Sequence, residues 1–487
     1  MEASSGLEGL LVPGSGAGEP TLHLVGGKAA SLFWMTGLGV PVPPFFVLTT
    51  DAWQRWNRRQ ALDDELIGLV GSGMADLEST TSSTFGAGPR PLLVSVRSSG
   101  LVSMPGMMDT VLNLGLSPES IAALAHQLDD LAALAGVVNT FLSTFRQSGT
   151  PDSGELIPLS ARSQLTAAIE KVFSSWNNDR ARLYRKMRRI PEDTGTALIV
   201  QAMVFGNWDR RSGSGVLFTR DPISGAPVPM GEWAPGAQGE AVVAGRITPR
   251  DLDQLAAEHP DLHAELEEHS RRLEREGQDA QDIEYTVQSG RLYLLQARRL
   301  KVTPLAACRI GVDLWREGLI DDGLVTKRLQ EIDLESLSAD SVDAEGVEPL
   351  AVGLAASPGV ASGWAVASTE EALRETARGQ RVVLVRPETS PNDLPGMRSA
   401  VAVITERGGV TSHAAIVARE LRIPCVVGCG ALASVLQAGM VTVETGEGGV
   451  GRILPGEHPI RREVPAFVRT AQNVIQGTAA PRRETPR

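Results

Sequence analysis

Cysteine is scarce in this sequence: Cys308, Cys425 and Cys429 are the three present in 487 residues. They cannot staple a disulfide framework, and Cys-x3-Cys alone lacks the further ligands that a zinc site needs, so core or near-surface thiols are expected. Long apolar runs are missing as well. "AVAVI" and "LYLLQ" fall far short of the roughly 20 residues that cross a bilayer. No basic segment followed by an apolar one opens the chain, so a cytoplasmic protein without a membrane partner is expected. Basic charge is not in excess either. With 58 acidic against 46 basic residues the net charge is −12, which argues against a general attraction to nucleic acid. Any phosphate site must be a local basic pocket.

What is present is an ordinary globular composition, 42% hydrophobic and 21% charged. The length suggests about two to four domains. Through the first three hundred residues β-like runs alternate with glycine loops and helical segments. "PLLVSVRSSG", "TALIVQAMVFG" and "GRLYLLQARR" read as strands, so the fold class is α/β. Residues 180–189, "RARLYRKMRR" with its neighbours, read as a basic, solvated helix face. Helical periodicity from residue 306 dissolves into the acidic "LSADSVDAEGVEP", which reads as a hinge. Residues 351–455 form a compact unit with strand candidates "GWAVAS", "RVVLVR", "AVAVIT", "CVVGC" and "VTVET"; the stretch after 460 has too little apolar content for a domain, and its last ten residues are expected to be disordered.

One histidine stands apart. In "TERGGVTSHAAIVARELRIPCVVGCG" the strand-like "AVAVIT" leads through Gly408 and Gly409 into "HAAIVARELRI", which is helical until Pro424. His413 therefore lies at a helix N-terminus beside Thr411 and Ser412, where unpaired N–H groups suit a phosphoryl group carried on the ring. A neutral imidazole is both a good nucleophile and, once phosphorylated, a good leaving group.

A phosphate carrier needs a donor site. Lys28 follows a Gly-Gly turn in "LVGGKAASL", Arg97 ends a strand in "SVRSSG", and "SMPGMMDTVLNLGL" is a glycine-containing loop that could close over phosphates. None of these is a Walker loop. In "QDIEYTVQSGRLYLLQARR", Asp282 and Glu284 alternate on one strand and Gln296 and Arg298 on the next, with "QSG" as the turn. Oxygen ligands on adjacent strands suit Mg²⁺, and Arg97 and Arg298 suit phosphates. An exposed hairpin with solvated charges shows the same alternation, so periodicity leaves both readings open.

The histidine segment, with "SPGVASG" and "LVRPETSPNDLPGM", resembles the swivelling phosphohistidine domain of the phosphoenolpyruvate-utilising enzymes, the pyruvate phosphate dikinase family. The first three hundred residues resemble the family's ATP-grasp domain through "VPVPPFFVLTT", "PLLVSVRSSGLVSMPGMMDTVLNLGL", "QAMVFGN", "SGSGVLFTRDPISG", "GEWAPGAQGEAVVAGRITP" and the hairpin. The resemblance implies an ATP-grasp-type domain over 1–305, a helical linker and hinge over 306–350, a swivelling β/β/α phosphohistidine domain over 351–460 and a partly disordered tail over 461–487. It implies His413 as the catalytic carrier. Lys28, Arg97, Asp282, Glu284, Gln296 and Arg298 become nucleotide-binding residues, with Glu284 and Gln296 at the Mg²⁺ position.

ATP is then the substrate, AMP leaves, and inorganic phosphate is the second acceptor, giving pyrophosphate. The family's dikinases continue into a (β/α)8 barrel of about 250 residues. After residue 460 this chain has 27 residues left, 487 minus 460, so the barrel is expected to be absent and the phosphoryl acceptor to be separate, for instance a phosphoenolpyruvate/pyruvate-barrel protein. A phosphocarrier or regulatory module acting through its phosphorylation state is the alternative. A remnant that binds nucleotide without chemistry is a third reading.

Overall fold

The structure, a computed structural model, describes residues 9–478 except 16–19, 103, 105–106, 129, 148–156, 239–248, 345, 411 and 446–448. The chain divides into two compact units, residues 1–213 with 284–297, and residues 214–283 with 298–487.

The first unit is built on a five-stranded antiparallel sheet in the order Leu11–Pro13, Phe45–Leu48, Ala197–Ala202, Val94–Ser99, Thr110–Leu114. All six residues of the central strand "ALIVQA" are buried, so it reads as an apolar run interrupted by Gln201 and not as an alternation. Thr49, Asp63, Ser117 and Asn178 cap the helices around it, each accepting a backbone N–H in the first turn. Trp53, Trp56, Phe173 and Trp176 fill the core between helices and sheet.

The basic helix Asp179–Arg188 has the solvated face that its charge suggests, with Arg180, Arg182, Lys186 and Arg188 exposed, and one exception. Arg185 is buried, donating from Nη1 to the Trp176 carbonyl at 2.5 Å with its guanidinium 4.2 Å from the Trp176 ring. Arg180 donates from Nε to the Met107 carbonyl at 3.1 Å and pairs with Asp109. Arginine stems cover apolar surface while the planar head finds acceptors, so a run of arginines can be half structural.

A second five-stranded sheet has the order Arg250–Asp251, Met230–Pro235, Gly213–Phe218, Gln281–Gln288, Arg291–Arg299. Its last two strands are joined at Ser289 and Gly290, both at positive φ (50° and 77°), the two-residue turn whose twist matches a hairpin. Helices Pro304–Arg316 and Asp322–Gln330 follow. Helix Ala466–Ile475 packs into the same core through Val468 and Ala471, so the stretch read as a tail is folded at least to residue 475. Residues 479–487 lie outside the described residues.

Residues 351–455 close into a seven-stranded barrel. Five strands match the apolar runs in the sequence; Ala351–Ser357 and Val450–Pro455, rich in small residues, complete it. In strand Val382–Arg386, Val383 and Val385 join one cluster, with Ile404 and Val443, while Val382 and Leu384 join another, with Ala414 and Ala418. Both chain connections of the barrel run together: Ala339–Val342 pairs antiparallel with Ile460–Glu463, reinforced by the Arg461–Asp343 ion pair at 2.5 Å. Among the described residues no helix is long and apolar enough to cross a membrane.

Val468 is fully buried against the two linker helices. Val468→Asp should place an unpaired charge there and lower stability by about 3 kcal/mol, read as a lower urea midpoint at unchanged slope. A wild-type midpoint would show that the helix contributes nothing to the core.

Candidate active site

In the first unit a glycine kink sets the lysine. The helix Leu22–Gly37 is interrupted at Gly26 (φ 71°, ψ 169°). A Cβ at Gly26 would fall 1.9 Å from the Ser99 carbonyl oxygen, so only glycine permits this approach. Gly27 N–H then donates to the Gly100 carbonyl at 2.9 Å, and Ala29 N–H to Ser99 Oγ at 3.0 Å. These contacts stitch the Lys28 turn to the end of the strand that carries Arg97.

The same helix reaches the hairpin. Ser31 Oγ donates to the Ala297 carbonyl at 2.5 Å, and the Ala297 N–H returns a bond at 3.2 Å, fixing the residue between Gln296 and Arg298. Lys28, Arg97, Glu284 and Gln296 thus belong to one compact unit. Glu284 and Gln296 are partly exposed and offer one carboxylate and one amide oxygen. Hard oxygen donors in that number fit a Mg²⁺ ion that completes its shell with phosphate and water. Among the described residues no group of three or more His, Cys, Asp or Glu could hold a metal by itself.

Arg97 is half-buried, and its Nη2 donates to Gln201 Oε1 at 2.5 Å. Its buried Nε has no hydrogen-bond partner among the described residues. Burial pushes the guanidinium pKa down and Glu284 opposes the shift. A cation held this way is poised to accept an anion.

Asp282, Arg298 and His413 fall in the second unit. Asp282 is buried and pairs with the exposed Arg298 at 2.7 Å, so these two charges already offset each other.

His413 is the first residue of helix His413–Leu421, with Ser412 as its cap, accepting from Ala415 N–H at 3.4 Å. Thr411 lies outside the described residues. Thr389 Oγ1 is 3.0 Å from His413 Nδ1. In the tautomer that donates Nδ1–H to Thr389, Nε2 carries the lone pair. Burial pushes the His413 pKa below its usual value, and Asp393 pulls the other way. Burial would raise Asp393 itself, but the Ser390 N–H and hydroxyl, with Arg386 at 3.1 Å, outweigh it and keep the carboxylate ionised. Thr389 and Asp393 escaped the sequence reading of individual residues, although the segment containing them, "LVRPETSPNDLPGM", was singled out.

The loop before His413 rests on strand Met230–Pro235 in the same unit. A Cβ at Gly409 would fall 1.9 Å from Glu232 Oε1. Arg419, on the His413 helix, donates to the carbonyls of Val410 at 2.8 Å and Ala356 at 3.3 Å; burial lowers its pKa, while Cys425, Asp282 and Glu232 raise it. The three cysteines are free, and burial pushes each thiol up to about 12, which makes them poor nucleophiles at neutral pH.

Comparison with known proteins gives two matches along the chain. Residues 70–262 match the AMP/ATP-binding domain of pyruvate phosphate dikinase, a span that includes Arg97, Gln201 and Glu232. Residues 379–448 match the mobile domain of PEP-utilising enzymes, a span that includes Thr389, Asp393 and His413. The chain is 37% identical to a pyruvate, phosphate dikinase of Rhizobium meliloti, over 95% of this chain and 59% of the relative. It is 36% identical to that of Clostridium symbiosum, over 89% of this chain and 56% of the relative. With pyruvate, phosphate dikinase 2 of Zea mays it shares 37% identity over 90% and 56%. The chain thus spans a little more than half the length of these relatives.

The His413 ring should titrate with a midpoint below the roughly 6.5 of an exposed histidine in an NMR pH series. Because Asp393 supports the protonated form, Asp393→Asn should move that midpoint lower still. An upward move would contradict the electrostatic role given to Asp393.

Proposed function

The chain belongs with the phosphoenolpyruvate-utilising enzymes of pyruvate phosphate dikinase type, and from that premise we propose that it is an ATP-dependent phosphotransferase that loads its own His413 and passes the phosphoryl group to a separate acceptor. The observation that carries this reading is the placement of the imidazole at a helix N-terminus with Nδ1 3.0 Å from the Thr389 hydroxyl; when Nδ1–H donates there, Nε2 is the nitrogen left to react.

In this reading the ATP phosphates meet Lys28, Arg97 and Arg298, and Mg²⁺ is held by Glu284 and Gln296, where it supplies charge neutralisation on the phosphate chain. The Nε2 lone pair forms a P–N bond to the β-phosphorus as the bond to the α-phosphate oxygen breaks, and AMP leaves. An oxygen of inorganic phosphate then attacks the γ-phosphorus, the β–γ bridge breaks, and pyrophosphate leaves the β-phosphoryl group on His413. The cations offset charge on the non-bridging oxygens in both steps. Residues 351–460 act as the swivelling carrier, with the acidic stretch before residue 351 as hinge.

Incubation with Mg²⁺, phosphate and ATP labelled at the β-position should give AMP and an acid-labile label on the protein, whereas γ-label should appear in pyrophosphate. His413→Ala should abolish both protein label and AMP release. Retained protein label in that variant would remove the carrier assignment.

Thr389→Val keeps the volume and removes the hydroxyl from Nδ1. It should slow phosphorylation by about tenfold, the scale of one lost orienting hydrogen bond, with ATP affinity unchanged.

A further inference from the structure

We propose that Gln201 is a positioning residue for the phosphate-binding arginine: its neutral amide aims Arg97 without neutralising it, so that the positive charge stays available to a polyphosphate chain. The proposal rests on the nucleotide reading above.

Gln201 is the only polar side chain in the central strand "ALIVQA", and it is 3% exposed. A buried amide in that position has to be satisfied on both sides. Its Nε2 donates to the Pro43 carbonyl at 3.0 Å. A carbonyl can only accept, so this bond fixes which way the amide is turned, and Oε1 faces the Arg97 Nη2 donor at 2.5 Å. Strand register supports the pairing. Ser95 lies opposite Gln201 and Arg97 opposite Ile199, which makes Arg97 and Gln201 diagonal neighbours on one face of the sheet. The backbone at Pro43 therefore holds the amide, and the amide holds the guanidinium.

The choice of an amide is the informative feature. An arginine that serves only the fold is sealed in, either under a ring and a backbone carbonyl, as the buried Arg185 is by Trp176, or between carboxylates. Arg220 shows the second solution in this chain, pairing with Glu274 at 2.8 Å and Glu317 at 2.7 Å. Arg97 instead has a neutral partner, a buried Nε with no partner among the described residues, and Glu284 as the carboxylate that opposes its pKa shift. In the proposed complex Glu284 is committed to Mg²⁺. The Arg97 charge is then left to the phosphate oxygens.

Calorimetric titration of the full chain carrying His413→Ala, which blocks turnover, with Mg²⁺-ATP and with adenosine tests this. Gln201→Leu should weaken Mg²⁺-ATP by about tenfold or more, the scale of a hydrogen bond to a charged group, and leave adenosine within about twofold. Gln201→Glu loses the donor to the Pro43 carbonyl but sets a carboxylate beside Arg97; it should weaken Mg²⁺-ATP at least as much, with folding checked by its melting transition. In an Arg97→Met background Gln201→Leu should have no further effect on Mg²⁺-ATP, since Gln201 acts through Arg97. Parental Mg²⁺-ATP affinity in Gln201→Glu, or additive losses in the double variant, would overturn the proposal and leave the nucleotide site intact. If Gln201→Leu does not fold, Gln201→Glu decides alone. No Mg²⁺-ATP binding by the parent chain would sink the nucleotide reading and this proposal together.

Discussion

The proposed carrier chemistry depends on one hydrogen bond, between the Thr389 hydroxyl and Nδ1 of His413. An imidazole has two nitrogens and one proton near neutral pH, and occupying one nitrogen decides what the other can do. With Nδ1–H donating to Thr389, Nε2 would be the atom left for phosphorus. Burial keeps the ring from protonating, and Asp393 limits how far that depression goes. The helix that starts at His413 would add N–H groups to the binding of a charged adduct. The barrel beneath supplies rigidity: strands Val382–Arg386 and Ala402–Thr405 run parallel and paired, so the loops leaving them, one carrying Thr389 and the other leading to His413, start from fixed neighbouring points.

The same economy of charge recurs in the first unit. Arg97, partly exposed, and Arg220, buried, are the same residue type, yet one is turned by an amide and the other is paired with two carboxylates. Burial opposes charge in both, but only in Arg220 do the partners overcome it and raise the pKa. An arginine in the second condition is a structural tie. One in the first keeps its electrostatic potential directed at whatever enters. The Asp282–Arg298 pair lies between these extremes, a buried carboxylate matched by an exposed arginine. An incoming phosphate would compete with Asp282 for Arg298, whereas nothing of that charge has to be displaced from Arg97.

Local pattern made much of this legible. The strand carrying Arg97, the hairpin with its Ser289–Gly290 turn and the helix opened by His413 all follow from short-range rules of alternation, turn chemistry and capping, while Ser103, Pro105 and Gly106 of the glycine-containing loop lie outside the described residues. The small-residue strands Ala351–Ser357 and Val450–Pro455 were not legible, because "AVGLAAS" has no strand signature until a barrel supplies partners on both sides. Arg185 is the exception on an otherwise exposed basic face for a related reason. Charge alone does not reveal that a tryptophan ring and a carbonyl wait beneath one position of a basic helix. Nor did low apolar content reveal that Val468 and Ala471 find a core already begun by helices 130 residues and more upstream.

The sequence by itself determined the chemistry on offer: which side chains can carry phosphate, bind oxygen ligands or supply fixed positive charge, and at which ends of strands and helices they stand. Tertiary structure decided how each group is held. Gly26 meets Ser99, Ser31 grips Ala297, Gln201 turns Arg97 and Thr389 occupies Nδ1 through contacts spanning 24 to 266 positions of sequence. Such contacts leave no periodic trace, since each needs only one side chain of the right length, and only the folded backbone brings the two partners within hydrogen-bonding distance.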